Sequence, residues 1–267
     1  MRRSFKVVSF LTALVLTLGW LGNAFAEVSK PFFTVAASSY NEFIGNMKTI
    51  GDVAANPAFA TMIEFPIQMW VGQDLMDAAD KDALLGIAVQ QVNDTQGIIF
   101  CLPVDDPEIL ADFIVEKAES GDYTEEEDGV LSLEMDGTNL YLKKVGAWTC
   151  IVTEREQIET IPEDVTEIFP KYENSTISVT FNMAELPEEL KEIFVANFKE
   201  GAALGITEKI EGESDEDYQL RKDQADAAGK MIDDLFKSIT CLYFVLRVDA
   251  DSKSMILDMT IDCVPGS

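Results

Sequence analysis

One order of patterned segments runs twice along this chain, and it leaves few ways to fold. In the first run Phe33, Val35 and Ala37 alternate along a short strand, a period of two that gives one face to the core. Ser39-Tyr40-Asn41-Glu42 follows with the S-x-x-E spacing of a capping box. A helix is therefore expected, with Tyr40, Phe43, Ile44, Met47, Gly51 and Ala54 along one side. Asn56-Pro57 restarts a second helix, Asn as its N-cap and Pro at its first position, and Pro66 kinks or ends it near Trp70. Leu85–Val92 and Gly97–Leu102 read as a hairpin closing on Cys101-Leu102-Pro103.

The second run begins with Ile177, Val179 and Phe181 in alternation. A helix from Pro187 carries Leu190, Ile193, Phe194 and Phe198. Ser214-Asp215-Glu216-Asp217 caps a longer helix with an inner stripe of Arg221, Ala225, Ala228, Ile232, Leu235 and Ile239. A hairpin of Leu242–Val248 and Met255–Cys263 then ends in Cys263-Val264-Pro265. Between the runs sits a segment present once. Asp105-Asp106-Pro107 starts a helix with Ile109, Leu110, Phe113 and Ile114, and an acidic loop, Thr124–Asp128, leads to Val130–Met135. Asp136-Gly137 is a strong hairpin signal before Asn139–Lys144, and Gly146 turns into Ala147–Thr153. The expected class is α+β: two related strand-helix-helix-hairpin units with mostly antiparallel sheet, plus a helix and β-meander after the first unit. Residues 27–170 form the first unit with its meander and 171–267 a second, shorter one. The second stops where the first would continue, so either a short form of the unit or a fragment of something longer is expected.

Residues 1–26 read as a signal peptide. Arg2, Arg3 and Lys6 precede an apolar run from Val7 to Gly22, and Asn23-Ala24-Phe25-Ala26 supplies an A-x-A site cleaved after Ala26. The run is short for a membrane span and no basic stop-transfer cluster follows it. Export to the periplasm or the exterior is expected, with no span left after cleavage.

Composition then removes whole classes of function. The chain is 47% hydrophobic, which argues for a packed core. Its 48 acids against 20 bases give a net charge of −28, which repels nucleic acid and favours cations or basic partners. There is no histidine, so Ser-His-Asp and Cys-His systems, HExxH proteases and most catalytic zinc or iron sites are excluded. No G-x-S-x-G, S-x-x-K, P-loop or G-x-G-x-x-G occurs in the mature chain.

Four segments, Pro31-Phe32-Phe33, Cys101-Leu102-Pro103-Val104-Asp105, Ala147-Trp148-Thr149 and Glu213-Ser214-Asp215-Glu216-Asp217-Tyr218, carry a resemblance. In style and order they resemble exported proteins of unknown function from planctomycete-type bacteria, over most of the mature chain. The resemblance implies no activity, and those relatives run on beyond the point corresponding to Ser267.

Cys101, Cys150, Cys241 and Cys263 allow three disulfide connectivities in an exported chain. Alternation puts Leu242, Phe244, Leu246 and Val248 on the core face with Met255, Leu257, Met259, Ile261 and Cys263, while Cys241 points the other way. The cysteines are read as small buried hydrophobes. Asp249-Ala250-Asp251-Ser252 opens like a calcium loop but has Ser254 where Gly is required and Thr260 where Glu is required, so a polar turn is expected. Glu125-Glu126-Glu127-Asp128 and Glu211–Asp217 leave room for weak divalent-cation binding only. No catalytic, cofactor or metal residue is assigned. The expected role is a non-enzymatic, acidic exported protein, structural or interaction-mediating, with a protein or cell-surface partner. Two alternatives stand: small-molecule or lipid binding, motivated by the stripe Phe59, Met62, Ile63, Ile67, Trp70, and a carboxylate-based hydrolase.

Overall fold

Capping and alternation place most elements where the sequence reading has them. The computed structural model describes residues 29–93, 95–118, 122–135, 137–169, 172, 175–203, 209, 213–249 and 251–264. The expected leader, Asp136 of the hairpin turn, the loop at 211–212 and Pro265 lie outside these. So do the side chains of Trp70, Phe194, Phe198, Ala225, Ala228, Ile232 and Leu235.

The strands are β1 (Phe33–Ala37), β2 (Leu85–Val92), β3 (Thr95–Leu102), β4 (Tyr123–Glu125), β5 (Leu131–Met135), β6 (Thr138–Val145), β7 (Trp148–Val152), β8 (Ile177–Asn182), β9 (Ile239–Asp249) and β10 (Ser254–Cys263). The helices are α1 (Tyr40–Val53), α2 (Phe59–Val71), α3 (Gln73–Ala78), α4 (Pro107–Ala118), α5 (Glu188–Ala203) and α6 (Asp215–Ser238). All ten strands join one sheet in the order β10-β9-β8-β1-β2-β3-β7-β6-β5-β4, and β1 through β7 pair antiparallel where they adjoin. The α+β class with antiparallel sheet is therefore as expected.

Capping explains the helix starts. Ser39 accepts from the Glu42 amide at 3.0 Å, Asp106 from that of Glu108 at 3.0 Å and Ser214 from that of Asp217 at 3.1 Å, each satisfying an amide that has no partner inside its helix. The start of α2 departs from expectation. Its N-cap is Ala58, with no side-chain cap. Asn56 instead closes a turn after α1, its amide on Gly51 O at 2.8 Å and its carbonyl holding the Phe59 amide at 3.0 Å. Pro66 stays inside α2, which runs on to Val71. Ile239, expected on the long helix, is the first residue of β9 and is buried.

Two compact units emerge, Met1–Thr180 with Tyr243–Met259, and Phe181–Leu242 with Thr260–Ser267. In the first, the central strands are buried on both faces. One face packs Ile99, Cys101, Cys150 and Val152 against Ile158, Val165 and Phe169. The other packs Leu131, Leu133, Leu140, Leu142 and Ile151 against Leu110 and Ala111 of α4 and Leu75 of α3. The segment from Arg155 to Phe169, which has no helix or strand period, forms two short 3-10 turns at Arg155–Thr160 and Val165–Glu167. Glycines seat it on the sheet. A Cβ on Gly86 would come within 2.7 Å of the Phe169 ring, and one on Gly97 within 2.4 Å of the Gln157 amide, so both strands stay bare where these fully buried side chains lie flat. The second unit pairs α5 and α6 beside the ends of β8, β9 and β10.

The last hairpin corrects one expectation. Arg247 bonds Asp258, so odd positions of β9 share a face with even positions of β10. Met255, Leu257, Met259 and Ile261 thus occupy the other face together, as alternation requires. That face is not core. Met255, Leu257 and Met259 are 63%, 68% and 61% exposed, and the buried residues of β9, Ile239 and Val245, are on the opposite face. Cys263 is exposed and Cys241 half-buried, whereas Cys101 and Cys150 are fully buried.

Candidate functional site

Three places carry more chemistry than the rest of the surface: the outer side of α2, a cleft in the second unit, and the acidic loops. The sequence of α2, FATMIEFPIQMWV, is apolar almost all round, and a helix of that kind needs cover on more than one side. Gly51 of α1 lets the two helices approach, since a Cβ there would lie 2.9 Å from Phe59 Cβ. Ala60 is buried, and Phe59, Ile63 and Ile67 are half-buried. Met62, Phe65 and Met69, spaced three and four residues apart and so on one side of the helix, are 64%, 59% and 68% exposed. The expected core stripe is therefore split: Met62 stands on the open side and its other described members on the partly covered side. Sequence periodicity cannot separate these two sides when nearly every residue is apolar.

The cleft belongs wholly to the second unit and encloses about 650 Å³. Met183 and Ile239, 4% and 6% exposed, form its floor with Val195 of α5 and Phe236 of α6. Glu188, Lys191, Glu192, Asp233 and Lys237 ring its mouth. Lys191 reaches Glu188 at 3.3 Å, a surface pair one helical turn apart that contributes little to stability. The volume lies within the range of small-molecule pockets, and the apolar floor beneath a charged rim suits an amphipathic molecule. Residues at the start of α5 and end of α6 build it, a juxtaposition that follows from folding and not from spacing in the chain.

The acids find partners inside the protein. Arg155 holds Glu126 at 3.0 Å and Asp128 at 2.5 Å, and its guanidinium keeps the Asp128 carboxyl below the usual carboxylate range against the upward pull of desolvation. Arg221 reaches Glu213 at 2.6 Å and Lys209 reaches Asp215 at 2.7 Å. Asp249 accepts from the Ser252 hydroxyl at 2.6 Å and from the amides of Asp251 and Ser252 at 2.9 and 3.1 Å. Those bonds depress its pKa, the Ser252 hydroxyl first, and make the loop a polar turn. Among the described residues no group of three or more Cys, Asp or Glu is placed to hold a metal ion, and no helix is long and apolar enough to cross a membrane.

No family model matches the chain, and no curated protein does. Two solved structures of TP0453 are similar in outline. Crystal form IV aligns with a TM-score of 0.39 and 7% identity over 89% of this chain and 81% of that one. Crystal form III gives 0.40 and 8% over 90% and 78%. Likeness of this degree carries no argument about role.

Proposed function

We propose that this chain is a non-enzymatic exported protein that works by binding a partner, and that the outer side of α2 is its contact surface. The observation that supports this reading is the row Met62, Phe65 and Met69, open to solvent on a helix that approaches α1 through Phe59. Large apolar side chains grouped on one surface mark interaction sites, and methionine adapts its shape to the surface it meets. With a net charge of −28 on the chain, the fitting partner is a protein with an apolar groove rimmed by Lys and Arg, drawn in at low salt and less strongly as salt rises.

The test is a photo-crosslinking residue at position 65, carried by the full-length protein in its own cells. A discrete adduct is expected, and Met62→Gln with Met69→Gln should abolish it while the thermal midpoint stays put, since exposed substitutions change stability by about 0.5 kcal/mol or less each. No adduct, or an adduct indifferent to those substitutions, overturns the reading.

A second reading rests on the 650 Å³ cleft: binding of an amphipathic small molecule, its tail on Met183, Val195 and Phe236 and its polar head among the charged residues of the lining. A fluorescent fatty acid should then bind saturably, and Val195→Trp, which fills the floor, should weaken binding at least tenfold. Binding that is absent or unchanged by V195W removes it.

A further inference from the structure

We infer that Cys101 and Cys150 are joined in the mature protein by a cross-strand disulfide between β3 and β7. The pairing register places them directly opposite. Hydrogen-bonded and non-hydrogen-bonded pairs alternate along antiparallel strands. The Thr153 amide donates to Ile98 O at 3.2 Å, which makes 98 and 153 a hydrogen-bonded pair. Three steps on, Cys101 and Cys150 form a non-hydrogen-bonded pair, the kind in which Cα atoms lie about 4.5 Å apart and side chains converge. That spacing falls within the reach of a disulfide. The two thiols are in direct contact, Sγ to Sγ 2.8 Å, and both are fully buried. Cys241 and Cys263 point to opposite faces of their own hairpin, as the Arg247–Asp258 contact shows.

Burial also fixes when the bond forms. Contact with Cys150, and then desolvation, push the Cys101 thiol upward in pKa, and only a thiolate attacks a disulfide. Both thiols are fully buried in the folded protein, out of reach of a disulfide co-reactant, so oxidation requires that the core over them be open. The co-reactant is a disulfide, small or carried by an oxidoreductase. One cysteine thiolate attacks it, giving a mixed disulfide and one thiol. The second cysteine displaces the remaining thiol. The protein loses two protons and two electrons in all, and the co-reactant becomes two thiols. The bond is then sealed from reduction by the same core.

The experiment uses the full chain refolded with oxidised and reduced glutathione, then unfolded without reductant and alkylated. Cys101 and Cys150 should escape alkylation, and a tryptic digest should contain their two peptides linked, lighter by two hydrogens than their sum. Cys263, exposed in the fold, should label even before unfolding. Alkylation of both Cys101 and Cys150, or a linked peptide joining either to Cys241 or Cys263, overturns the inference. A Cys150→Ala variant should leave Cys101 labelled after unfolding; if that variant does not fold, the digest of the unaltered chain decides alone.

Discussion

Phe169→Ala is expected to destabilise the protein by about 3–5 kcal/mol, the range for emptying a buried aromatic site. Phe169 is fully buried, lies flat on Gly86 of β2, and shares a cluster with Ala88, Ile99, Cys101, Cys150 and Val165. A strand cannot collapse into the space a ring leaves, because its backbone is held on both sides by the sheet. Gly86 pairs with Ala36 and with Cys101, so the floor of the cavity is fixed. The midpoint of thermal unfolding should fall by on the order of 10 °C for a domain of this size. Chemical unfolding should show a lower midpoint with an unchanged slope. A loss under about 1 kcal/mol would mean that the ring is not a core residue at all. Enlarging the glycine instead should hurt by overpacking, by about 1–3 kcal/mol.

Reduction of the Cys101–Cys150 bond is expected to cost a comparable amount. The cysteines are 49 residues apart in the chain, and tying off a loop of that length limits the unfolded ensemble by about 4 kcal/mol on the chain-entropy account. The oxidised protein should therefore melt well above the same protein unfolded and refolded in reductant. Adding reductant to the folded protein should act slowly, at the rate of core opening and not in proportion to reductant. Equal melting points for the two forms would contradict the entropic reading.

Much of this fold was legible because local signals agreed. The capping residues Ser39, Asp106 and Ser214 sit one residue before their helices and bond as the sequence patterns require. The alternation of Leu131–Met135 matches its burial, whereas Trp148–Val152 is buried on both faces. What stayed hidden was everything set by pairing at a distance. Cys101 and Cys150 were each readable as core, but their facing register depends on β7 docking beside β3 with β4, β5 and β6 beyond it. The Arg155–Phe169 segment has no period, since Gln157 and Phe169 are placed to meet glycine gaps on two other strands. On β10 the alternation was right and its meaning was not, because a period of two says which residues share a face and not whether anything covers it. The same holds for α2, where an apolar residue at nearly every position conceals which side is open.

The uncovered row on β10 bears on how concentrated this protein can become. β10 stands at one end of the strand order, and a long terminal strand bearing Met255, Leu257 and Met259 is a template on which another chain can align. Asp258 and Asp262 alternate with that row along the chain and point to the opposite face, where they add charge to the strand, and the surplus of 28 negative charges keeps like molecules apart. The surplus of acids thus also has colloidal work. Their reach shrinks to about 8 Å at physiological ionic strength, so any association through this strand is expected to rise with salt.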